Sequence, residues 1–84
     1  TRLTLIAPDG TVLADNTQSD VSKMESHANR PEFKETLKSG TGSTIRKSST
    51  IGETTFYYAI KLNNGDVLRV AVKAFMLFFI ILLL

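Results

Sequence analysis

Apolar and polar positions alternate from the first residues of the chain. Thr1–Ala7 is rich in β-branched and aliphatic residues and predicts a strand. Thr11–Asp15 predicts a second, with Val12 and Ala14 on one face and Leu13 on the other. Pro8-Asp9-Gly10 between them is a turn: proline presets φ, aspartate caps, and glycine takes a positive φ. The two runs therefore form an antiparallel hairpin.

The pattern then breaks. Asn16–Ser22 is polar and reads as a loop, and Asp20 or Ser22 can cap a short helical turn that carries Met24 and Ala28. Arg30 precedes proline and is biased toward extended backbone. Pro31 suits a first helical turn, with Glu32 favourable at the positive end of the helix dipole. Phe33 and Leu37 stand four apart, so Pro31–Ser39 is a short amphipathic helix that stops at Gly40. Gly42–Ser49 reads as a more polar third strand, and Ile51-Gly52-Glu53 as a turn. Thr54–Leu62 is the clearest strand, with Phe56, Tyr58 and Ile60 on one face and Tyr57 and Ala59 on the other. Asn63-Asn64-Gly65 signals a type I′ hairpin turn into Val67–Val72.

The order is β-β-α-α-β-β-β, an α+β pattern with short helices between the second and third strands. The expected core is Leu3, Leu5, Val12, Phe33, Leu37, Phe56, Tyr58, Leu68 and Val70. A one-residue slip would turn each strand's set to the other sheet face.

After Lys73 the composition changes sharply. Residues 74–84 are entirely apolar, without a charge, an amide or a hydroxyl. A helix rises about 1.5 Å per residue, so this run covers only about half of a ~30 Å hydrocarbon core. It reads as the start of a transmembrane helix, or as a tail packed on the sheet, with Lys73 at the polar boundary. The expected division is thus a domain over 1–73 and an apolar segment over 74–84.

Composition narrows the chemistry. The 84 residues make one small domain, which is marginal by size and often leans on a partner, ligand or membrane. There is no cysteine, which excludes disulfides, a thiol nucleophile and Cys-based metal sites. Ten Lys/Arg against eight Asp/Glu give a net charge of +2, spread along the chain. No basic cluster resembles a nucleic-acid footprint, so no nucleic acid partner is expected. The one histidine, His27, has no acid placed by spacing to complete a triad or a metal site. Gly40-Thr41-Gly42-Ser43 lacks the lysine and spacing of a phosphate loop. Glu32 and Glu35 read as solvating a helix surface. No catalytic residue, metal or cofactor is expected, and the chain does not read as an enzyme.

Four stretches, in this order, resemble a PAS-like extracytoplasmic sensor domain of the PDC or single Cache family. They are Leu3–Asp15, Met24–Glu32, Gly40–Arg46, and Tyr57-Tyr58-Ala59 with Val67–Ala71. The likeness covers about residues 2–72 and is greatest to the sensor domains of PhoR-type phosphate-regulon histidine kinases of Gram-positive bacteria. It implies a five-stranded antiparallel sheet of order 2-1-5-4-3, outside the cytoplasmic membrane between two transmembrane helices. It further implies an input domain of a two-component sensor kinase in phosphate-starvation signalling, a homodimer in the full receptor, and a small-molecule or cell-envelope ligand. Two other readings stand beside it: a ligand-independent dimerisation or interaction module, and the sensor domain of a chemoreceptor or cyclase. The family places a long helix before the first strand and a connecting segment before the membrane helix. Here a strand comes first, and the apolar block follows Lys73 at once.

Three residues are candidates for ligand contact. Arg30 stands before a helix N-terminus, where a guanidinium and backbone N–H groups hold anions; pairing with Asp15, Glu25 or a carbonyl, which fixes the helix, suits it better. His27 is a candidate pH-sensitive group. Tyr58 offers an apolar body with a polar tip, although a core position suits it better.

Overall fold

The computed structural model describes residues 1–47 and 53–73. The turn expected at Ile51-Gly52-Glu53 lies largely outside them, as does the apolar segment 74–84. The elements are β1 (Arg2–Ile6), β2 (Val12–Asp15), α1 (Pro31–Ser39), β3 (Thr41–Lys47), β4 (Thr54–Lys61) and β5 (Val67–Lys73). All strand pairings are antiparallel, and the sheet order is β2-β1-β5-β4-β3. This is the α+β fold and strand order expected from the sequence. No helix among the described residues is long and apolar enough to cross a membrane.

One helix, not two, connects β2 to β3. Around Val21–Met24 the chain forms a turn, closed by a 3.1 Å bond from the Met24 N–H to the Val21 carbonyl. Asp20 caps it by accepting from the Ser22 N–H and hydroxyl. With its oxygen already bonded two residues on, Asp20 favours a local turn over a helix.

Both tight hairpins use one left-handed glycine. The Gly10 N–H bonds the Ala7 carbonyl at 2.9 Å, and the Gly65 N–H bonds that of Leu62 at 3.0 Å. Their φ angles are 95° and 94°. No non-glycine residue described has a positive φ, so Asn64 is not left-handed and the second turn is not type I′. It is a longer loop that ends on a left-handed glycine, the other common hairpin solution.

Helix α1 begins and ends as its sequence directs. Pro31 opens it after an extended Arg30 (φ −72°, ψ 133°), and Gly40 closes it at φ 91° with its N–H on the Thr36 carbonyl. The helix lies across β3, β4 and β5. It comes closest at Gly42, where an added Cβ would collide with the Glu32 carbonyl oxygen and the Thr36 hydroxyl. Gly42→Ala must lift α1 off the sheet, and overpacking of this kind costs about 1–3 kcal/mol. Urea melts check this: an unchanged midpoint would contradict the packing. Gly40→Ala is the control, with open space but a left-handed backbone, and should cost about 1 kcal/mol.

The faces of the sheet are inverted relative to the expected core. Cross-strand register puts Arg2, Thr4 and Ile6 of β1 beside Ala71, Arg69 and Val67 of β5, and these beside Tyr57, Ala59 and Lys61 of β4. This is the face that α1 covers. The more apolar set, with Leu3, Leu5, Leu68, Val70, Phe56 and Tyr58, lies on the opposite face. Leu3 and Tyr58 are 42% and 43% exposed, and Leu5, Phe56, Leu68 and Val70 are half-buried. Of the expected core only Val12 and Phe33 are buried, and Leu37 is 36% exposed. The helix-side core is small: Ile6, Phe33, Ala59 and Val67, with Ala28 against it. The rest of that face is polar.

Candidate functional site

The polar half of the helix-covered face is built around Glu32, which is completely buried. Its position in the first turn of α1 points it down at the sheet. There its Oε1 accepts from Arg46 Nη1 at 2.7 Å, and its Oε2 from Arg46 Nη2 at 3.2 Å and Arg69 Nη1 at 3.3 Å. Arg46 comes from β3 and Arg69 from the middle of β5. Both guanidinium groups lie over the ring of Tyr57 on β4, at 3.8 Å and 4.9 Å from its centroid. Tyr57 thus gives the two cations an apolar, electron-rich floor.

A second ion pair adjoins the first. Arg2 Nε donates to Asp15 Oδ2 at 2.8 Å. Thr4 joins the two pairs: its hydroxyl donates to the same Asp15 oxygen at 2.9 Å and accepts from Arg69 Nη2 at 3.4 Å.

The loop between β2 and α1 closes the end of this face. The His27 N–H bonds the Gly10 carbonyl at 2.8 Å, and the Arg30 N–H bonds the His27 carbonyl at 3.0 Å. Gly10 is buried against Ala28 and Ser26. This tie holds the loop on the first hairpin and brings Met24, Glu25, His27 and Arg30 to the arginines of the sheet. The result is a cavity of about 330 Å³ lined by these four residues with Arg2, Arg46, Arg69 and Tyr57.

Three residues that line it carry nitrogens without partners. His27 Nδ1, Arg30 Nε and Arg69 Nε are buried and make no hydrogen bond. Buried polar groups of folded proteins are almost always satisfied, so three exceptions on residues that line one cavity require an explanation. A larger cavity, of about 690 Å³, shares Arg2 and Tyr57 and continues along the sheet past Thr17, Thr55 and Lys73. Its cations are already paired, Arg2 with Asp15 and Lys73 with Glu53. The smaller cavity is therefore the candidate site.

The electrostatics follow from this geometry. Burial pushes Glu32 toward protonation, but the hydrogen bonds and charges of Arg46 and Arg69 outweigh it and hold the carboxyl below its ordinary range. The same contest at Asp15 is won by hydrogen bonds from Thr17, Arg2 and Thr4, which hold its carboxyl well below the ordinary range. His27 goes the other way from an ordinary histidine: burial, then the charges of Arg69, Arg30 and Arg2, lower its pKa to about 4, against a weaker pull from Glu32. It is neutral at pH 7.

A depressed histidine pKa makes stability depend on pH. The unfolded chain takes up a proton near pH 6.5, while the folded chain resists until about pH 4. The stabilisation is complete above pH 6.5 and is lost as pH falls through about 4, and over that window it amounts to about 3 kcal/mol. The carboxylates lose theirs only below about pH 4, the unfolded carboxylate range. Denaturant melts from pH 7 to 4.5 should therefore show falling stability in the natural chain and a nearly flat profile in His27→Gln. A flat profile in both would contradict the buried neutral imidazole.

The structure brings two of the three sequence candidates together. His27 and Arg30 line one cavity, and among the described residues no carboxylate lies within ion-pair distance of Arg30; Asp15 is taken by Arg2. Tyr58 lies on the opposite face, and its neighbour Tyr57 occupies the site. Glu32 does not solvate a helix surface but sits beneath the helix. Glu32, Arg46, Arg69 and Arg2 were missed from sequence. Their signal was the parity of charged residues within strands: Arg69 alternates with Leu68 and Val70, and Arg46 follows Ile45. No cluster of three metal-ligating side chains occurs among the described residues. The chain matches no family model, and no curated protein or solved structure matches it.

Proposed function

We propose that the chain is the extracytoplasmic, PAS-like input domain of a membrane sensor histidine kinase, anchored by flanking helices and acting in a homodimer. The proposal rests on the order of its sequence words, on the 2-1-5-4-3 antiparallel sheet that those words imply, and on one observation about the site. The helix-covered face, where an apolar core is expected, is given to a network of arginines with unpartnered buried nitrogens. A buried ion network is often no more stabilising than apolar packing of the same volume. The apolar residues lie on the other face of the same strands. The chain places charge where it weakens the core, which suits a site that receives something.

Helix α1 is the element through which an input at this site reaches the rest of the domain. Its first turn carries Glu32, and Arg30 precedes it directly. Arg30→Ala in the intact receptor should leave membrane levels unchanged and blunt the response of autophosphorylation to stimulus, measured in isolated membranes. Normal output across all stimulus levels would contradict the proposal, as would a chemoreceptor or cyclase module following residue 84 in the intact protein.

A further inference from the structure

The geometry points to the cavity between α1, the His27 loop and the sheet as a binding site for a small molecule bearing an oxyanion group, held by Arg30 and Arg69 beside His27. This deepens the sensor reading and rests on it for its place in signalling, but the binding stands on the cavity alone.

Charge comes first. Four arginines, Arg2, Arg30, Arg46 and Arg69, meet at the site against Asp15, Glu25 and Glu32. With His27 neutral, one positive charge is left over: Arg46 and Arg69 share Glu32, and neither Arg30 nor Glu25 has an ion-pair partner among the described residues. A cation beside other cations in a partly enclosed site is unfavourable unless an anion joins it.

Hydrogen bonding gives the same answer. Arg69 is only 4% exposed, and two of its guanidinium nitrogens are used by Glu32 and Thr4. Its Nε–H remains, as does that of Arg30. Both are donors without acceptors. His27, 5% exposed, lines the same cavity, and its Nδ1 has no partner. The missing group must accept several hydrogen bonds and carry negative charge. Carboxylate and phosphate oxygens meet both conditions, and guanidinium forks bind them preferentially.

Size separates an organic anion from a bare ion. At about 330 Å³ the cavity is at the lower end of the range for small-molecule sites, about 300–1,000 Å³. Met24 and the Tyr57 ring offer apolar contact to a short carbon body.

His27 ties binding to protons. The groups that face it are Arg2 from β1, Arg30 and Glu32 at the start of α1, Arg46 from β3, Tyr57 from β4, Arg69 from β5 and Glu25 from its own loop. The arginines disfavour its protonation, and a bound anion offsets them. A dianion should therefore bind with partial uptake of one proton, and more tightly at pH 5.5 than at pH 7.5.

Calorimetric titration of the 84-residue chain tests this, with inorganic phosphate, glycerol phosphate and malonate at constant ionic strength against a chloride control. One saturable site is expected for at least one anion. Tighter binding of the phosphates over malonate, or the reverse, identifies the headgroup. Glycerol phosphate over inorganic phosphate identifies the carbon body. Arg30→Ala should weaken binding about tenfold to a hundredfold while the far-ultraviolet dichroism spectrum and melting temperature stay unchanged. His27→Gln should lower the proton uptake on binding, read from heats in buffers of different ionisation enthalpy, by the share that the imidazole takes. Heats indistinguishable from chloride for all three anions would overturn the proposal, as would undiminished binding by a folded Arg30→Ala. Failed binding with altered kinase output in Arg30→Ala would remove the oxyanion and leave the sensor reading. Binding with unaltered output would do the opposite.

Discussion

Glu32→Ala should leave the chain largely unfolded at room temperature. The substitution removes a fully buried carboxylate and strands two guanidinium groups, one of them 4% exposed. Breaking a buried pair from one side costs about 3–5 kcal/mol, because the remaining charge stays out of water. Small domains have total stabilities near the bottom of the usual ~5–15 kcal/mol range. Glu35→Ala, three residues further on at an exposed position of the same helix, should change stability by less than about 0.5 kcal/mol. Circular dichroism melts of the two variants make the comparison. Equal melting temperatures would mean that Glu32 is not the keystone of the site.

Phe33→Ala should be comparably severe. Phe33 is 2% exposed and is the largest buried side chain described, set against Ile6, Ala59 and Val67. Truncating a buried phenylalanine costs about 3–5 kcal/mol in transfer and cavity terms. Leu37, one turn further on, is 36% exposed, so Leu37→Ala should cost less than about 1 kcal/mol. Chemical denaturation of both separates them, and a larger loss for Leu37 than for Phe33 would contradict the placement of the helix. With a core this small, the seating of α1 rests on one aromatic ring and one ion network. Both Phe33 and Glu32 lie in its first turn.

Much of the backbone was legible in the sequence. The turns at Pro8-Asp9-Gly10 and Asn63-Asn64-Gly65, the Pro31 start and the Gly40 stop are local signals, and each falls where its residues direct, although the second turn is not of the expected type. Which face α1 covers was not legible, since it is decided by tertiary packing. Leu3, Leu5, Leu68 and Val70 are the more apolar set, and a rule that buries the apolar set under the helix puts them there. The structure instead covers Thr4, Arg69 and Tyr57, because these side chains satisfy one another across three strands and with a residue of α1. Such cross-strand satisfaction requires the register, which no single strand contains. Arg30 and His27 stood out because a lone histidine and an arginine before proline are visible in one stretch. Arg69 and Glu32 are 37 positions apart, and only the sheet order brings them together.

The same separation explains how a small, weakly basic chain can contain a strongly basic site. A net charge of +2 spread along 84 residues gives no basic run. Folding gathers all four arginines at one end of the helix-covered face, with one more positive charge than the neighbouring carboxylates neutralise.

An anion seated in the cavity must perturb the guanidinium groups of Arg30 and Arg69, which line it. Nitrogen-15 spectra that resolve arginine Nε–H and imidazole resonances observe them directly as phosphate or malonate is added at constant ionic strength. Saturable shifts confined to Arg30, Arg69 and His27, with the Arg2 resonance held by Asp15 nearly unmoved, are the predicted result. Arg30 and Arg69 resonances that do not respond to any oxyanion, or that shift no more than with chloride, would contradict it.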